Sequence, residues 1–333
     1  MARLGALFRY PPAPAPTGLV RNAPLIGITF KLGSTLAFAF MVAALKIAAE
    51  SLPVGQIVFA RNFFGMFPVL LMVAMRGELH LALQTPRPWG HVGRAVVGVT
   101  AMAFSFTAFA LLPLPDATAI GFAAPLIVVV LAWAFLGEAV RIYRWSAVII
   151  GFLGILVILS PHLGQGDVGG IEAIGAVCGF FGAAFAALAM IFVRKLCETE
   201  RTSTIVTWFS GAATLLALVT IPIGMVWPSQ AWTVPNLTQA LLLVFVGLSG
   251  GIGQILLTQG YRYADASTIA PFDYVNMIWA ILLGWFLFAE QPVWQVLAGS
   301  AIVVASGIFV IYREHRLGFD RTKDRRAYTP SKS

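Results

Sequence analysis

The chain has 333 residues, of which 59% are hydrophobic and only 11% are charged, against roughly 25% charged residues in soluble domains. This composition excludes an ordinary soluble protein and predicts an all-α polytopic membrane protein. The net charge of +8 could suggest nucleic acid binding. However, the basic residues fall mostly in alternate loops and in the C-terminal tail, as in membrane proteins, so no nucleic acid partner is expected.

Residues 1–24 hold three arginines around the segment PPAPAP, which favours an extended arm, so a disordered cytoplasmic N-terminal arm is expected. Ten apolar runs follow, each long enough to cross a hydrocarbon core about 30 Å thick as a helix. The predicted spans are 25–45, 54–75, 91–112, 116–136, 144–161, 172–193, 203–226, 238–260, 266–288 and 293–312. A basic tail, 313–333, ends the chain.

The distribution of Lys and Arg predicts how the chain is inserted. With the N-terminus inside, 19 of the 22 basic residues, Arg94 among them, fall in inside loops and termini, and only Lys46 falls in an outside loop. Lys31 and Arg61 lie within spans. Because cytoplasmic loops are enriched in basic residues, both termini are expected in the cytoplasm of a bacterial cell, with the protein in its inner membrane.

Two segments of the chain resemble each other, which indicates an internal repeat. Asp116–Glu138 and Asp265–Glu290 both open with Asp-Ala, continue through an apolar segment that contains Trp, and end on Glu, at offsets of 149 and 152 residues. The repeats predicted from this are 25–161 and 172–312. Since each holds five helices, an odd number, the second is expected to be inverted relative to the first, a plan of secondary transporters with a binding site near the midplane.

Several motifs lack the context that would give them a function. Gly164–Gly169 matches G-x-G-x-x-G, but it follows a helix and opens no βαβ unit, so it does not predict a dinucleotide site. The four histidines fall in or beside loops and the tail, and no cluster of His, Cys and carboxylates is expected at membrane depth. The sequence therefore predicts no catalytic residue, no cofactor and no metal.

Charged side chains at membrane depth are the first candidates for function. Asp273 in the ninth span and Lys31 in the first lie at similar depth, and opposite charges at one depth predict a pair. Either residue could contact a charged or zwitterionic solute, or Asp273 could carry a proton. Alternatively, Lys31 snorkels to the headgroups and Asp273 only holds the packing. Arg61, with no acid at its depth, is expected to anchor or snorkel toward the outer surface.

Uncharged polar and aromatic side chains at helical spacing could complete a pocket around these charges, although for each alone helix packing is the alternative. The predicted substrate-binding residues are Asp273, Lys31, Asn276, Tyr274, Trp279, Gln254, Ser105 and Phe122. Pro125 and Pro271 lie inside corresponding spans, where each is expected to weaken its helix. Paired interruptions of this kind point toward a binding site.

Over about 25–312 the chain resembles the drug/metabolite transporter superfamily, of the EamA type. The resemblance is carried by the ten spans in two halves, by FAAPLIVVVLAWAFLGE at 122–138 with RWSAVIIGFLGILVIL at 144–159, and by YRYADASTIAPFDYVNMIWAILLGWFLFAE at 261–290. The second half ends on Phe-Ala-Glu290 where Gly-Glu is usual. The resemblance implies alternating access without ATP, through a cavity lined by the first, third, fourth, sixth, eighth and ninth helices.

The expected function is secondary transport of a small organic metabolite (amino acid, nucleoside-derivative or vitamin-like) rather than enzymatic catalysis. The expected partners are this solute and membrane lipid, and the protein is expected to be a monomer or a homodimer. Two alternatives remain: an integral membrane enzyme acting on a lipid-linked substrate, and a membrane assembly subunit that does not transport.

Overall fold

A computed structural model describes residues 24–75, 82–136, 141–163, 170–196, 200, 202–263 and 269–316. Within these ranges the chain is helical and has no strand, and ten helical segments are long and apolar enough to span a membrane. The predicted all-α membrane fold is therefore confirmed. The Gly164–Gly169 motif, Glu138 and Asp265 lie outside the described residues, as do the N-terminal arm and most of the tail.

The helices are numbered α1 to α12 in chain order. They are α1 Pro24–Ala49, α2 Val54–Met75, α3 Pro88–Leu111, α4 Leu114–Gly121, α5 Ala123–Leu136, α6 Ile142–Leu163, α7 Ile171–Leu196, α8 Thr202–Ala217, α9 Thr220–Val226, α10 Leu237–Tyr263, α11 Val275–Phe288 and α12 Trp294–Arg316. Two 3-10 turns, Pro228–Gln230 and Ala270–Tyr274, precede α10 and α11. The fourth span consists of α4 and α5, the seventh of α8 and α9, and the ninth of the second turn and α11.

Several helices extend beyond the predicted spans, and two of these extensions matter for the site. α1 runs to Ala49 instead of residue 45, and α3 begins at Pro88 instead of residue 91. Proline suits the first turn of a helix because its missing N–H would have no partner there. Lys46 therefore lies in a helix, whereas the sequence assigned it to a loop. Arg94, which the charge count placed with the inside loops, lies six residues after the start of α3.

The two corresponding spans that contain Pro125 and Pro271 are interrupted, as predicted. α4 ends at Gly121 and α5 begins at Ala123, so Phe122 lies between them. Pro125 cannot donate a hydrogen bond to the carbonyl of Gly121 and its ring crowds that carbonyl, which explains a break at this point. Pro271 lies in the 3-10 turn Ala270–Tyr274. Asp273 is therefore part of an irregular turn and not of the regular helix.

The spans pack across the two halves of the chain. α1 packs on α10, α3 packs on α7, and α6 packs on α12, while α2 contacts both α8 and α10 and α3 contacts α8. Each of the first five spans corresponds to the span five places later. The contact of α1 with α10 then corresponds to that of α7 with α3, and the contact of α2 with α10 to that of α8 with α3. Such a set of contacts is expected of two related halves, and their opposite insertion stays a prediction.

Glycines allow two of these helices to meet backbone to backbone. A Cβ on Gly247 of α10 would lie 2.8 Å from the carbonyl oxygen of Ala60 on α2, and one on Gly251 would lie 2.5 Å from that of Gly65. Because no side chain fits at this distance, the α2–α10 contact depends on glycine, as close contacts between membrane helices do. Large side chains such as Leu71 and Phe286 are exposed instead on outward surfaces, where lipid would cover them.

Candidate functional site

The predicted pair of opposite charges is present. Lys31 Nζ lies 2.5 Å from Asp273 Oδ1, which joins α1 to the 3-10 turn at the start of the ninth span. The side chain of Lys31 is only 3% exposed, whereas that of Asp273 is 48% exposed. Lys31 therefore does not snorkel to the headgroups, and the Asp273 carboxylate keeps accessible surface beside a buried cation.

This ion pair can exchange partners with a charged solute. Each ion lost hydration when the helices packed, and their mutual attraction offsets that cost only in part. An ammonium group of a solute could contact the accessible side of the Asp273 carboxylate, and a carboxylate could compete with Asp273 for Lys31. Because α1 contacts both the turn and α11, such an exchange would change how the first and ninth spans pack.

A hydrogen-bonded chain holds α11 against α1 near the ion pair. The Trp279 Nε1–H donates to Thr35 Oγ1 at 3.2 Å, and the Thr35 hydroxyl donates to the carbonyl of Leu32 at 2.8 Å. Thr35 follows Lys31 by one helical turn, so the contact lies next to the charged pair on α1. Trp279 thus positions α11 relative to Lys31.

The two interrupted spans meet through an aromatic pair. The rings of Phe122 and Tyr274 lie edge to face with their centroids 5.3 Å apart, and both pack in one apolar cluster with Met277. The Tyr274 hydroxyl contacts Gly307 of α12, at a place where a Cβ would overlap with it. The break in the fourth span and the turn in the ninth therefore share one packing interface.

The remaining predicted residues are distributed around this region. Asn276 is half-buried on α11 next to the turn, and Gln254 is half-buried on α10, which packs along α1. Ser105 lies at the contact between α3 and α7, against Gly182. The structure thus groups five of the eight predicted residues around the junction of α1, the turn and α11: Lys31, Asp273, Tyr274, Phe122 and Trp279. Ser105 contacts a neighbouring helix instead.

A second ion pair, which the sequence did not reveal, lies at the far end of α1 and α11. Lys46 Nζ lies 2.7 Å from Glu290 Oε1, and the two side chains are 14% and 15% exposed. Lys46 also donates to the carbonyl of Leu112 after α3, and Glu290 Oε2 accepts the Leu114 N–H of α4 at 2.7 Å. Lys46 and Lys31 are about 22 Å apart along α1. The second pair therefore closes the opposite end of the bundle.

Ala289 has a left-handed backbone conformation, which turns the chain so that Glu290 reaches Lys46. Ala289 has φ 53°, and the N–H of Glu290 donates to the carbonyl of Gly284 at 3.0 Å, so the chain folds back over the end of α11. Glycine adopts this conformation most easily, while other residues lose about 1 kcal/mol or more. In the Phe-Ala-Glu290 ending, Ala289 stands where glycine is usual. Its positive φ explains why glycine would fit this position better.

Two arginines point into the bundle. Arg61 of α2 packs against Gly250 of α10 with its Nε buried, so the expectation that it snorkels to the outer surface is wrong. Its Nη1 donates to the Asn62 side-chain oxygen at 3.1 Å. Arg94, which the charge count placed with the inside loops, lies on α3 with its guanidinium 4.1 Å from the ring centroid of Phe209 on α8.

None of the site residues described above lines either of two open grooves on the protein. One encloses about 340 Å³ against apolar side chains of α6 and α7, and the other encloses about 480 Å³ between α2 and α10. Their linings are formed by residues such as Leu156, Phe181 and Leu71. Apolar surface of this kind suits lipid chains, so neither groove is the candidate site.

Comparisons with known proteins agree with this architecture. The S-adenosylmethionine uptake transporter of Rickettsia conorii is 28% identical over 265 residues, which cover 78% of this chain and 84% of that one. The pseudopaline exporter of Pseudomonas aeruginosa is 28% identical over 85% of this chain and 94% of its own. The riboflavin transporter of Vibrio cholerae is 28% identical over 87% of this chain and 94% of its own.

A solved crystal structure superposes with a TM-score of 0.61 over 90% of this chain and 99% of that one, at 20% identity, and so shares the fold. The model of the EamA-like transporter family matches residues 25–160 and 173–313, which is most of the sequence. Relatives named as uptake and export proteins for different small molecules accompany this match. The chain therefore belongs to the EamA-like transporter family, small-molecule transporters of the drug/metabolite transporter superfamily.

Proposed function

We propose that this protein is a secondary transporter that moves a small organic metabolite across the bacterial inner membrane by alternating access. Its two halves, 25–161 and 172–312, are inverted relative to each other, and both termini are cytoplasmic. The names of the relatives support an amino-acid-like, nucleoside-like or vitamin-like solute. The observation that carries the proposal is the Lys31–Asp273 ion pair, half accessible and adjacent to two interrupted helices.

The ion pair supplies a reason why solute binding would change the conformation. A solute that binds Asp273 or Lys31 competes with an interaction between the first and ninth spans. The solute therefore binds better when the ion pair is broken than when it is formed, and it shifts the population toward the broken arrangement. Such a difference in affinity is what a ligand-driven conformational change requires. The irregular backbone in the fourth and ninth spans resembles the discontinuous helices that form binding sites in other secondary transporters.

The second ion pair serves in this proposal as the closure on the other side of the membrane. Lys46 and Glu290 connect the ends of α1 and α11 with the junction of α3 and α4. With cytoplasmic termini, this end faces the periplasm. The described conformation is then closed toward the periplasm, and the Lys46–Glu290 contact has to separate whenever the solute site opens there.

Transport in liposomes tests the proposal. Purified protein is reconstituted in phospholipid liposomes, which are incubated with a small-molecule extract of bacterial cells, and the solutes that enter are identified by mass spectrometry. We expect saturable entry of at least one metabolite, and its loss in Asp273→Asn, which removes the charge at nearly constant volume. Glu50→Gln is the matched control, because Glu50 is an exposed carboxylate just after α1.

Two results would contradict the proposal. Liposomes with protein could take up no more solute than empty liposomes, which would reject transport itself. Alternatively, Asp273→Asn could retain wild-type uptake with an unchanged pH dependence, which would remove Asp273 from the mechanism.

A further inference from the structure

Two arginines inside the bundle have hydrogen-bond donors without a partner. The Nε atom of Arg61 and both Nε and Nη1 of Arg94 are buried and donate to no acceptor. Arg61 is otherwise bonded only to the amide oxygen of Asn62, and Arg94 lies on the ring of Phe209. Over the described residues neither guanidinium contacts a carboxylate. This is unusual, because buried charges in proteins are normally paired.

The neighbouring charges increase the imbalance. Arg61 and Arg94 each bring a positive charge into the region, with no carboxylate beside it among the described residues. The Lys31–Asp273 and Lys46–Glu290 pairs are each neutral as a whole and give the arginines no counter-charge. A guanidinium with buried donors and no counter-charge is a candidate site for an anion, because a bound anion supplies both the missing acceptor and the missing charge.

Two glycines on neighbouring helices leave room for the side chains of Arg61 and Arg94. A Cβ on Gly250 would lie 3.4 Å from Arg61 Nε, and a Cβ on Gly98 would overlap with Arg94 Nη1 and lie 2.7 Å from the Phe209 ring. The glycines are on α10 and α3, and these helices pack with α2 and α8. Four helices thus surround the two side chains, which as whole residues are partly exposed.

We infer that Arg61 and Arg94 are binding groups for a carboxylate or phosphate, so that the transported solute is an organic anion or a zwitterion. The inference rests on the proposed transport function and specifies its substrate class. Arginine suits this role because its planar group offers parallel N–H donors that match a carboxylate or phosphate. Asp273 of the ninth span, which keeps accessible surface beside Lys31, can contact a second polar group of the same solute.

The test measures the thermal stability of the purified full-length protein in detergent. Inorganic phosphate, acetate and succinate are titrated at constant ionic strength against chloride, so that general screening does not change. An anion that binds the folded protein raises its melting temperature in a saturable way. Arg61→Gln and Arg94→Gln should each weaken this effect about tenfold or more, since each removes a charge-assisted hydrogen bond. Arg313→Gln, an exposed arginine at the end of α12, is the matched control.

Variants that keep the charge separate binding from packing. Arg94→Lys should retain part of the anion effect, because lysine keeps the charge but lacks the planar group. If the arginines only held the helices together, Arg94→Gln would lower the melting temperature and leave the anion-dependent increase unchanged. That result, or the absence of an increase in the wild-type protein, would overturn the inference.

Lipid headgroups carry the same phosphate chemistry and require their own titration. Mixed micelles with phosphatidylglycerol are compared with micelles that contain phosphatidylcholine. Stabilisation by phosphatidylglycerol alone, with none by the soluble anions, would assign the arginines to lipid and reject the solute inference. Liposome uptake is measured in parallel. Uptake restricted to neutral or cationic solutes would reject the anion site while transport stands, and anion binding without any uptake would reject transport while the site stands.

Discussion

Removing either member of the Lys31–Asp273 pair should destabilise the protein, but by different amounts. Asp273→Asn removes the carboxylate that lies beside the ammonium of Lys31, a side chain only 3% exposed. Lys31→Met leaves the Asp273 carboxylate, which is 48% exposed and can be hydrated. The first change should therefore cost more than the second, and the double variant, which has no charge left, should cost less than the sum of both.

The distance between Lys31 Nζ and Asp273 Oδ1 gives the expected loss of stability. At 2.5 Å and an effective dielectric constant of 20, the attraction is about 7 kcal/mol before desolvation is subtracted. Removing one partner of a buried pair typically costs about 3–5 kcal/mol, so Asp273→Asn should lower the free energy of unfolding by about 3 kcal/mol. Lys31→Met should cost about 1 kcal/mol, because water or solute replaces part of the lost interaction.

The assay is a double-mutant cycle, with the unfolding of purified protein in detergent followed by denaturant titration. Asn276→Ala serves as a control for side-chain truncation near the turn without loss of charge. We expect a coupling energy of about 1–3 kcal/mol between Lys31 and Asp273. Additive losses, or equal losses in both single variants, would refute the reasoning that a buried cation depends on a half-accessible anion.

Three further predictions concern the contacts around the site. Glu290→Gln should open the end of the bundle at which α1 and α11 end, so that a cysteine introduced as Leu112→Cys reacts faster with a maleimide; an unchanged labelling rate would contradict the closure. Gly307→Ala should displace the Tyr274 ring and lower the free energy of unfolding by about 1–3 kcal/mol in denaturant titration. Adding Tyr274→Phe should recover part of this loss. A neutral result would mean that the Tyr274 ring does not lie against Gly307. Ala289→Gly should be neutral or stabilising by up to about 1 kcal/mol in the same assay, because glycine relieves the positive φ, and a clear loss would contradict that account.

The ten spans and the Lys31–Asp273 pair could be predicted because both follow from local properties. A helix that crosses a bilayer needs an apolar run of fixed length, so hydropathy alone locates it. Two opposite charges at equal depth in different spans are expected to pair, because few other charged side chains lie at membrane depth. The breaks near Pro125 and Pro271 follow equally from the covalent structure of proline. The inverted insertion of the two halves is also an expectation from sequence, and it stays one.

The surroundings of Arg61, Arg94 and Lys46 could not be predicted, because they depend on which helices become neighbours. A further turn at the end of α1 carries Lys46 into contact with Glu290, and the position of α3 beside α8 brings Arg94 onto Phe209. The sequence by itself therefore determined the number of spans and the class of protein, and it placed Lys31 and Asp273 at similar depth, since these depend on composition and on position within a span. Only the tertiary structure decided which charges are paired, because pairing depends on the rotation of each helix and on distances between residues far apart in the chain.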